Sequence, residues 1–375
     1  MTRAPMTVFL CDTLEAPPRL GYQLHLTSLA RAVSGVMPAR ALVWAEPEAN
    51  GAAAPWLAAL PTAEAPRGRV ARKRRYAREA VRWIESEAPP GSALWVRGYT
   101  TALLLVPYLR SRSRKERGHV AVYDASSFES LEVGEGAASL AGRVRGFLEE
   151  RLWRSFDLVR TLSGPMRDFL IAKGVPAERV VVLPVGAEAR AERWSPRATA
   201  ARVLYLGGGA DYQGLDALLA AMRLLEREAP EVRLTVVGPE AIGGAPANVE
   251  FAGRVPHDRV ASFYLSHDLF VLPRPRTPLT ELVVPMKLPE AMAFGIPILA
   301  TDLGAARWAV GEDGALLVAD NRPETLAAGI RTALGDPRRL AAWSERGRAR
   351  SAAFTWDAIA RSVVRELFAN GRAGT

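Results

Sequence analysis

Short apolar runs recur along this chain, each followed by a longer stretch with helical spacing. The runs at 7–11, 40–44, 93–97, 119–123, 157–162 and 179–183 fill the first half. Those at 202–206, 233–237, 249–252, 269–272, 297–300 and 315–318 fill the second. They are continuous, as in "TVFLC" and "LFVL", and do not alternate with polar residues. A strand covered on both faces has no wet side, so continuous runs predict parallel sheets between helical layers. Helical stretches between most of the runs predict an α/β, doubly wound organisation. The polar, Pro-containing stretch 186–200 separates two strand runs and marks a boundary, while the Ala/Pro-rich segment 47–68 reads as a surface loop. The expected architecture is two Rossmann-like domains facing a cleft, where ligands sit beyond the carboxyl ends of the strands.

Length agrees with that division, because 375 residues exceed what one hydrophobic core ordinarily organises. No apolar run reaches the ~20 residues of a membrane-spanning helix; "TTALLLVPYL" (100–109) comes nearest. The first run is followed at once by Asp12 and Glu15 and reads as a strand, not a signal peptide. A lone Cys11 excludes a disulfide framework, and the four histidines (25, 119, 257, 267) lack metal-ligand spacing. The expected compartment is the cytoplasm. Charge is uneven: residues 1–198 hold 29 Lys/Arg against 20 Asp/Glu, and residues 199–375 hold 20 of each. The excess of +9 therefore lies in the first half and suggests an anionic partner there. Within it, 67–87 ("RGRVARKRRYAREAVRWIESE") predicts a helix with Val70, Ala77, Val81 and Ile84 on one face and Arg72, Arg75, Arg78 and Arg82 opposite. Such a helix is either a solvated charged face or a peripheral contact with an anionic membrane surface. Nucleic acid is not an expected partner, since neither an aromatic-basic platform nor a helix-turn-helix pattern appears.

Candidate chemistry falls at strand ends. In "VLYLGGGADYQGLDALLAAM" (203–222) a strand ends in glycines that include Gly208 and Gly209, ahead of a helix N-terminus. That is either a tight turn or a phosphate approach. Gly21 and Tyr22 open the corresponding helix of the first half, which also carries His25, expected to be a packed helix residue. Arg97 and Asp124 end their own strands, as site residues or as a surface ion pair. Arg254 and Val255 follow the run at 249–252. Arg274, Arg276, Glu281 and Lys287 crowd the segment between the 269–272 strand and a helix headed by Glu290. Cations beside carboxylates at a strand's carboxyl end suit a nucleoside diphosphate, with phosphates on Arg or Lys and ribose hydroxyls on a carboxylate.

The segment "EAMAFGIPILATD" (290–302) resembles the signature of the retaining glycosyltransferases of the GT-B fold, family 4-like. "GVPAERVVVLPVG", "LTVVGPE", "VEFAGRVPHDRVASFYLSHDLFVLP" and "FTWDAIARSVVREL" add to the resemblance, which covers 155–370 well and the first 150 residues thinly. It implies an N-terminal acceptor-binding domain (1–188), a nucleotide-sugar-binding domain (189–354), and a C-terminal helix (355–375) returning to the first domain. It further implies retaining, metal-independent transfer of a sugar from a nucleotide diphosphate to a glycan or lipid-linked acceptor, in cell-surface polysaccharide or glycoconjugate synthesis, with no cofactor. The same fold also permits a silent scaffold that binds nucleotide or glycan.

Carried over residue by residue, Glu290 matches the ribose-holding glutamate. The donor side takes in Gly208, Gly209, Arg254, Val255, Arg276 and Lys287; the acceptor side takes in Gly21, Tyr22, Arg97 and Asp124. Catalytic roles fall to Glu281, Lys287, Arg97 and Asp124. Leu282 stands where the first signature glutamate belongs, with Glu281 one residue early. Gly208 and Gln213 replace the family's phosphate-binding Arg and Lys. Val185-Gly186 replaces Asn-Gly before the interdomain crossing, and "YDASSF" replaces the segment that often carries a histidine. Lys287, helped by Arg276 or Arg254, is the expected substitute for the missing phosphate cations.

Overall fold

The structure is a computed structural model and describes residues 4–15, 21–45, 55–61, 68–126, 140–197 and 201–369. The chain divides into two units, Met1–Pro184 with Trp356–Thr375, and Val185–Thr355.

The first unit is built on seven parallel strands: β1 (Thr7–Glu15), β2 (Ala39–Ala45), β3 (Leu57–Pro61), β4 (Ala93–Arg97), β5 (Val120–Ala125), β6 (Leu158–Thr161) and β7 (Val180–Val182). Their order is β3-β2-β1-β4-β5-β6-β7. Strand β3 corrects the reading of 47–68 as loop throughout: Leu57–Pro61 pairs in parallel with Ala41–Ala45 at the sheet edge. Its Ala-rich run is too weakly β-forming to declare itself, and pairing supplies what propensity lacks.

One face of this sheet carries α1 (Gly21–Ser34) and the helix Trp356–Val364, which pack together. Trp356, Ile359, Ala360 and Val363 are buried with Leu26, Leu29 and Val33 in one core. Their i, i+3, i+4, i+7 spacing puts all four on one stripe, which is why the last helix belongs to the first unit. Another helical layer runs α2 (Arg69–Glu87), α3 (Tyr99–Leu109) and the helix Leu140–Trp153, with α3 touching both neighbours. In α2 the buried stripe is Tyr76, Ala77, Ala80 and Ile84, while Val70, at the start of the helix, is 65% exposed. Tyr76 anchors α2: its hydroxyl donates to the Leu42 carbonyl (3.1 Å) and accepts from the Cys11 amide (2.9 Å).

The second unit has six parallel strands: β8 (Arg202–Leu206), β9 (Arg233–Val237), β10 (Val249–Gly253), β11 (Leu269–Leu272), β12 (Ile298–Thr301) and β13 (Leu316–Val318), in the order β10-β9-β8-β11-β12-β13. The order reverses direction between β8 and β11, so the loops after these two strands diverge at a switch point. Buried Asp268 ties the two together at their other ends. It accepts from the amides of Ala201 (3.0 Å) and Arg202 (2.9 Å) and pairs with Arg197 (2.6 Å).

Candidate active site

In the second unit the carboxyl end of β11 runs through Pro273 into Arg274, and β8 runs into Gly207. Glycine is required where these loops meet their neighbours. Gly214 has φ +74°, and a Cβ there would stand 1.7 Å from the Pro273 carbonyl oxygen. Gly238 has φ +124°, and its Cβ would meet the Gly207 carbonyl at 1.8 Å. The Gly208 amide donates to Gln213 Oε1 (2.6 Å), which also accepts from the Tyr205 hydroxyl (3.3 Å). Gln213 therefore closes the loop on itself where the family pattern has a cation. Gly209, at φ +76°, lies against Pro239. Arg254 is exposed, whereas Val255 packs on the core of this unit and contributes apolar contact.

The helix Lys287–Phe294 begins beside these loops and ends at Gly295, whose φ of +75° caps it. Lys287 opens the helix and Glu290 closes its first turn. Tyr264, fully buried, donates to Glu290 Oε2 (3.4 Å). Burial and the Glu290 charge push that phenol well above its ordinary value, so it stays a donor at every working pH. Burial lowers the Lys287 ammonium, and Arg274 lowers it further, against the pull of Glu290.

Arg274 is itself only 7% exposed. One guanidinium nitrogen donates to the Val283 carbonyl (2.9 Å), and the group lies over the Tyr212 ring at 5.6 Å. Burial brings Arg274 down to about 10, so it remains charged at neutral pH. Two desolvated cations, Lys287 in the first turn and Arg274 beside it, thus stand with one carboxylate where the backbone dipole is already positive. This arrangement favours an anion.

Arg276 and Glu281 are occupied differently. They pair with one another, Arg276 also donates to the Asp302 carbonyl (2.5 Å), and Glu281 Oε2 accepts from the Gly304 amide (2.6 Å). Glu281 thereby caps the helix Gly304–Val310. Arg276 is thus engaged by Glu281 and Asp302, and Arg274, two residues nearer the strand, is the buried cation of this segment. Its position immediately past Pro273 at a strand's carboxyl end was the available signal. Tyr264, by contrast, gave none beyond being an aromatic on a short helix.

In the first unit, Arg97 and Asp124 are not a surface ion pair. They are 8% and 2% exposed and lie 3.9 Å apart. Asp124 Oδ1 pairs with fully buried Arg160 (2.7 Å), and Oδ2 accepts from Trp95 Nε1 (3.1 Å). Burial alone would raise the Asp124 pKa, but Arg160 and Arg97 outweigh it and hold it at about 2. A carboxylate this acidic is a poor proton acceptor at neutral pH, and here it pairs with two arginines. Arg160 in turn donates to the carbonyls of Leu183 (2.6 Å) and Pro184 (2.9 Å). Arg97 donates to Ser126 Oγ (3.1 Å) and meets His25 Nδ1 at 2.9 Å.

His25 is buried, with its edge toward Trp356 at 5.2 Å. Burial, then Arg97 and Arg160, keep it neutral well below its ordinary value. Nδ1 facing Arg97 accepts, so the proton resides on Nε2. Gly21 and Tyr22 begin α1, and their side chains lie outside the described residues. Among the described residues, no group of three or more His, Cys, Asp or Glu is placed to hold a metal ion.

Two units, each an open parallel sheet with helices, are the α/β architecture of the GT-B class. Two family models match: "Glycosyl transferase 4-like domain" over residues 6–186 and "Glycosyl transferases group 1" over 200–336. The chain belongs to the family-4-like glycosyltransferases. Among curated relatives, a D-inositol 3-phosphate glycosyltransferase of Kineococcus radiotolerans is 28% identical over 65% of this chain and 64% of its own length. A phosphatidyl-myo-inositol mannosyltransferase of Mycolicibacterium smegmatis is 29% identical over 44% of each chain. The chain thus spans less than two thirds of the curated relatives it matches. Among solved structures, sucrose-phosphate synthase from Thermosynechococcus elongatus superposes with TM-score 0.77 at 19% identity, covering 98% of this chain and 100% of its own. Anabaena HepE, solved with UDP and glucose, gives 0.73 at 17%, with the same coverage.

Proposed function

We propose that this protein transfers a sugar from a nucleoside diphosphate donor to a hydroxyl of a glycan or lipid-linked acceptor, with retention at the anomeric carbon. Relatives named for inositol phosphate and phosphatidyl-inositol substrates support a polyol or lipid-linked acceptor. The observation that carries the reading is the pair of desolvated cations, Arg274 and Lys287, beside Glu290 at one helix head. In this assignment Glu290 accepts from the ribose hydroxyls, while Lys287 and Arg274 hold the diphosphate. As the bond from C1 to the β-phosphate oxygen breaks, the diphosphate keeps the electron pair and its growing charge meets cations already in place. The acceptor oxygen bonds to C1 from the same face and its proton is released. The donor phosphates need no metal where two fixed cations and a helix N-terminus face them.

Incubating the protein with a panel of nucleotide sugars, with and without chelator, tests the reading. Donor turnover that persists in chelator and yields an α-linked product from an α-linked donor is expected. Inversion at C1, turnover only with added Mg²⁺ or Mn²⁺, or no turnover and no nucleotide binding across the panel would contradict it.

A further inference from the structure

The layer formed by α2, α3 and the helix Leu140–Trp153 combines exposed apolar side chains with clustered arginines on its outer surface. Between α2 and α3 lies a groove of about 860 Å³. Val81, Leu104 and Pro107 form part of its apolar floor, and Arg74, Arg78 and Arg82 line it from α2. Val70, 65% exposed, extends the same line, because residues 70, 74, 77 and 81 are spaced i, i+4, i+7, i+11 along one edge of the helix. Helix α3 ("YTTALLLVPYL") is apolar on both sides, burying Leu105 and Leu109 while Leu103, Leu104 and Val106 stay half-exposed. On the next helix Val144, Phe147 and Leu148 are 51%, 55% and 41% exposed, at i, i+3, i+4. Three neighbouring helices of one layer therefore present large apolar side chains outward.

The charge beside this surface points to its occupant. Helix α2 carries seven Lys or Arg against three Glu. Exposed Arg82 pairs with half-buried Glu79 (3.1 Å), a surface contact that is easily exchanged. A second copy of the same face would bring two cationic helices together, and apolar partners alone would leave the arginines without anions. An anionic leaflet satisfies both features, with phosphates at its surface and hydrocarbon beneath.

We propose that this face docks on a bilayer containing anionic phospholipid. Arg74, Arg78 and Arg82 engage headgroup phosphates, the groove admits an acyl chain, and Val70, Val144, Phe147 and Leu148 enter the interfacial region. The proposal stands apart from the donor site and does not depend on sugar transfer.

Co-sedimentation with phosphatidylcholine vesicles, with or without about a third phosphatidylglycerol, provides the test. Binding only to the anionic vesicles is expected, partly retained in high salt. At roughly 1 kcal/mol for each basic residue at the surface, replacing Arg74, Arg78 and Arg82 together by Gln weakens binding roughly 100-fold. The exposed pair Phe147→Ser and Leu148→Ser leaves the melting curve unchanged but makes binding fully reversible by salt. Failure to bind anionic vesicles at low salt overturns the proposal. So does binding indifferent to the Phe147/Leu148 pair, which would reduce it to loose charge attraction. Self-association abolished by the same substitutions, without vesicle binding, would assign the face to a second copy and overturn it as well.

Discussion

Lys287 occupies a position that a helix ordinarily gives to an acid. Its ammonium sits at the positive end of the dipole beside a second cation, Arg274, and Glu290 offsets only part of that charge. Such a site gains most from an incoming polyanion. Replacing Lys287 by Met keeps the length of the stem and removes the charge. Loss of one charge-assisted hydrogen bond then weakens nucleoside diphosphate binding roughly 10–100-fold. The nucleoside alone should bind as before, which isothermal titration with both ligands would show.

Glu290 could be assigned from "EAMAFGIP" because the motif is local and contiguous, and the structure places it in the first turn of its helix. The assignment of Arg276 was not secure from sequence alone. Arg274 and Arg276 are two residues apart in one loop, and only the fold reveals that Arg276 is taken by Glu281 while Arg274 turns inward over Tyr212. Asp124 shows the same limit in the first unit. Its strand-end position was legible, but Arg160, which decides its acidity, lies on another strand 36 residues away.

At the level of elements, the loops after β8 and β11 are held by contacts that tolerate little change. Gly214 combines a left-handed backbone with an approach to the Pro273 carbonyl that excludes a Cβ. Gly214→Ala should therefore cost about 2–4 kcal/mol from backbone strain and overpacking together. Because Pro273 leads directly into Arg274, nucleotide affinity should fall in the same variant. Urea denaturation paired with nucleotide titration would check both; a stable variant with unchanged affinity would refute the coupling.

Asp268 is the opposite kind of fastening, at the far ends of β8 and β11. Removing its carboxylate strands two amides and Arg197, so Asp268→Ala is expected to destabilise the second unit by about 3–5 kcal/mol, measured by denaturant unfolding. Most strands were visible because continuous apolar runs are strong signals in a buried parallel sheet. Leu57–Pro61 was not, since an edge strand of Ala and Leu owes its existence to its partner β2. In α2 periodicity gave the faces of the helix but not where its packing stops, and Val70 lies beyond that point.

At the scale of the whole molecule, three buried histidines among the described residues tie stability to pH. His25 and His267 are held below their ordinary values chiefly by burial, and His119 is brought to about 4 by burial, Arg117 and Arg114. With folded pKa values depressed, the unfolded chain binds protons first as pH falls below about 6.5. Stability should be fullest above that value and decline toward pH 4, where His119 also protonates in the folded protein. Denaturation midpoints at pH 7.5, 6 and 5 should fall in that order, and His119→Gln should reduce the slope. Equal midpoints would contradict the burial of these rings.

The two units share a parallel architecture but differ in charge, and Arg274 and Lys287, the cations proposed to hold the phosphates, are in the less basic one. Binding of nucleoside diphosphates and of the matching nucleosides to the intact protein, to Lys287→Met and to Glu290→Ala separates the assigned roles most directly. Glu290→Ala should weaken nucleoside and nucleoside diphosphate alike, by about 1.5–3 kcal/mol. Lys287→Met should weaken only the diphosphate. Equal losses for both ligands in both variants, or undiminished diphosphate binding in Lys287→Met, would show that the phosphates lie elsewhere.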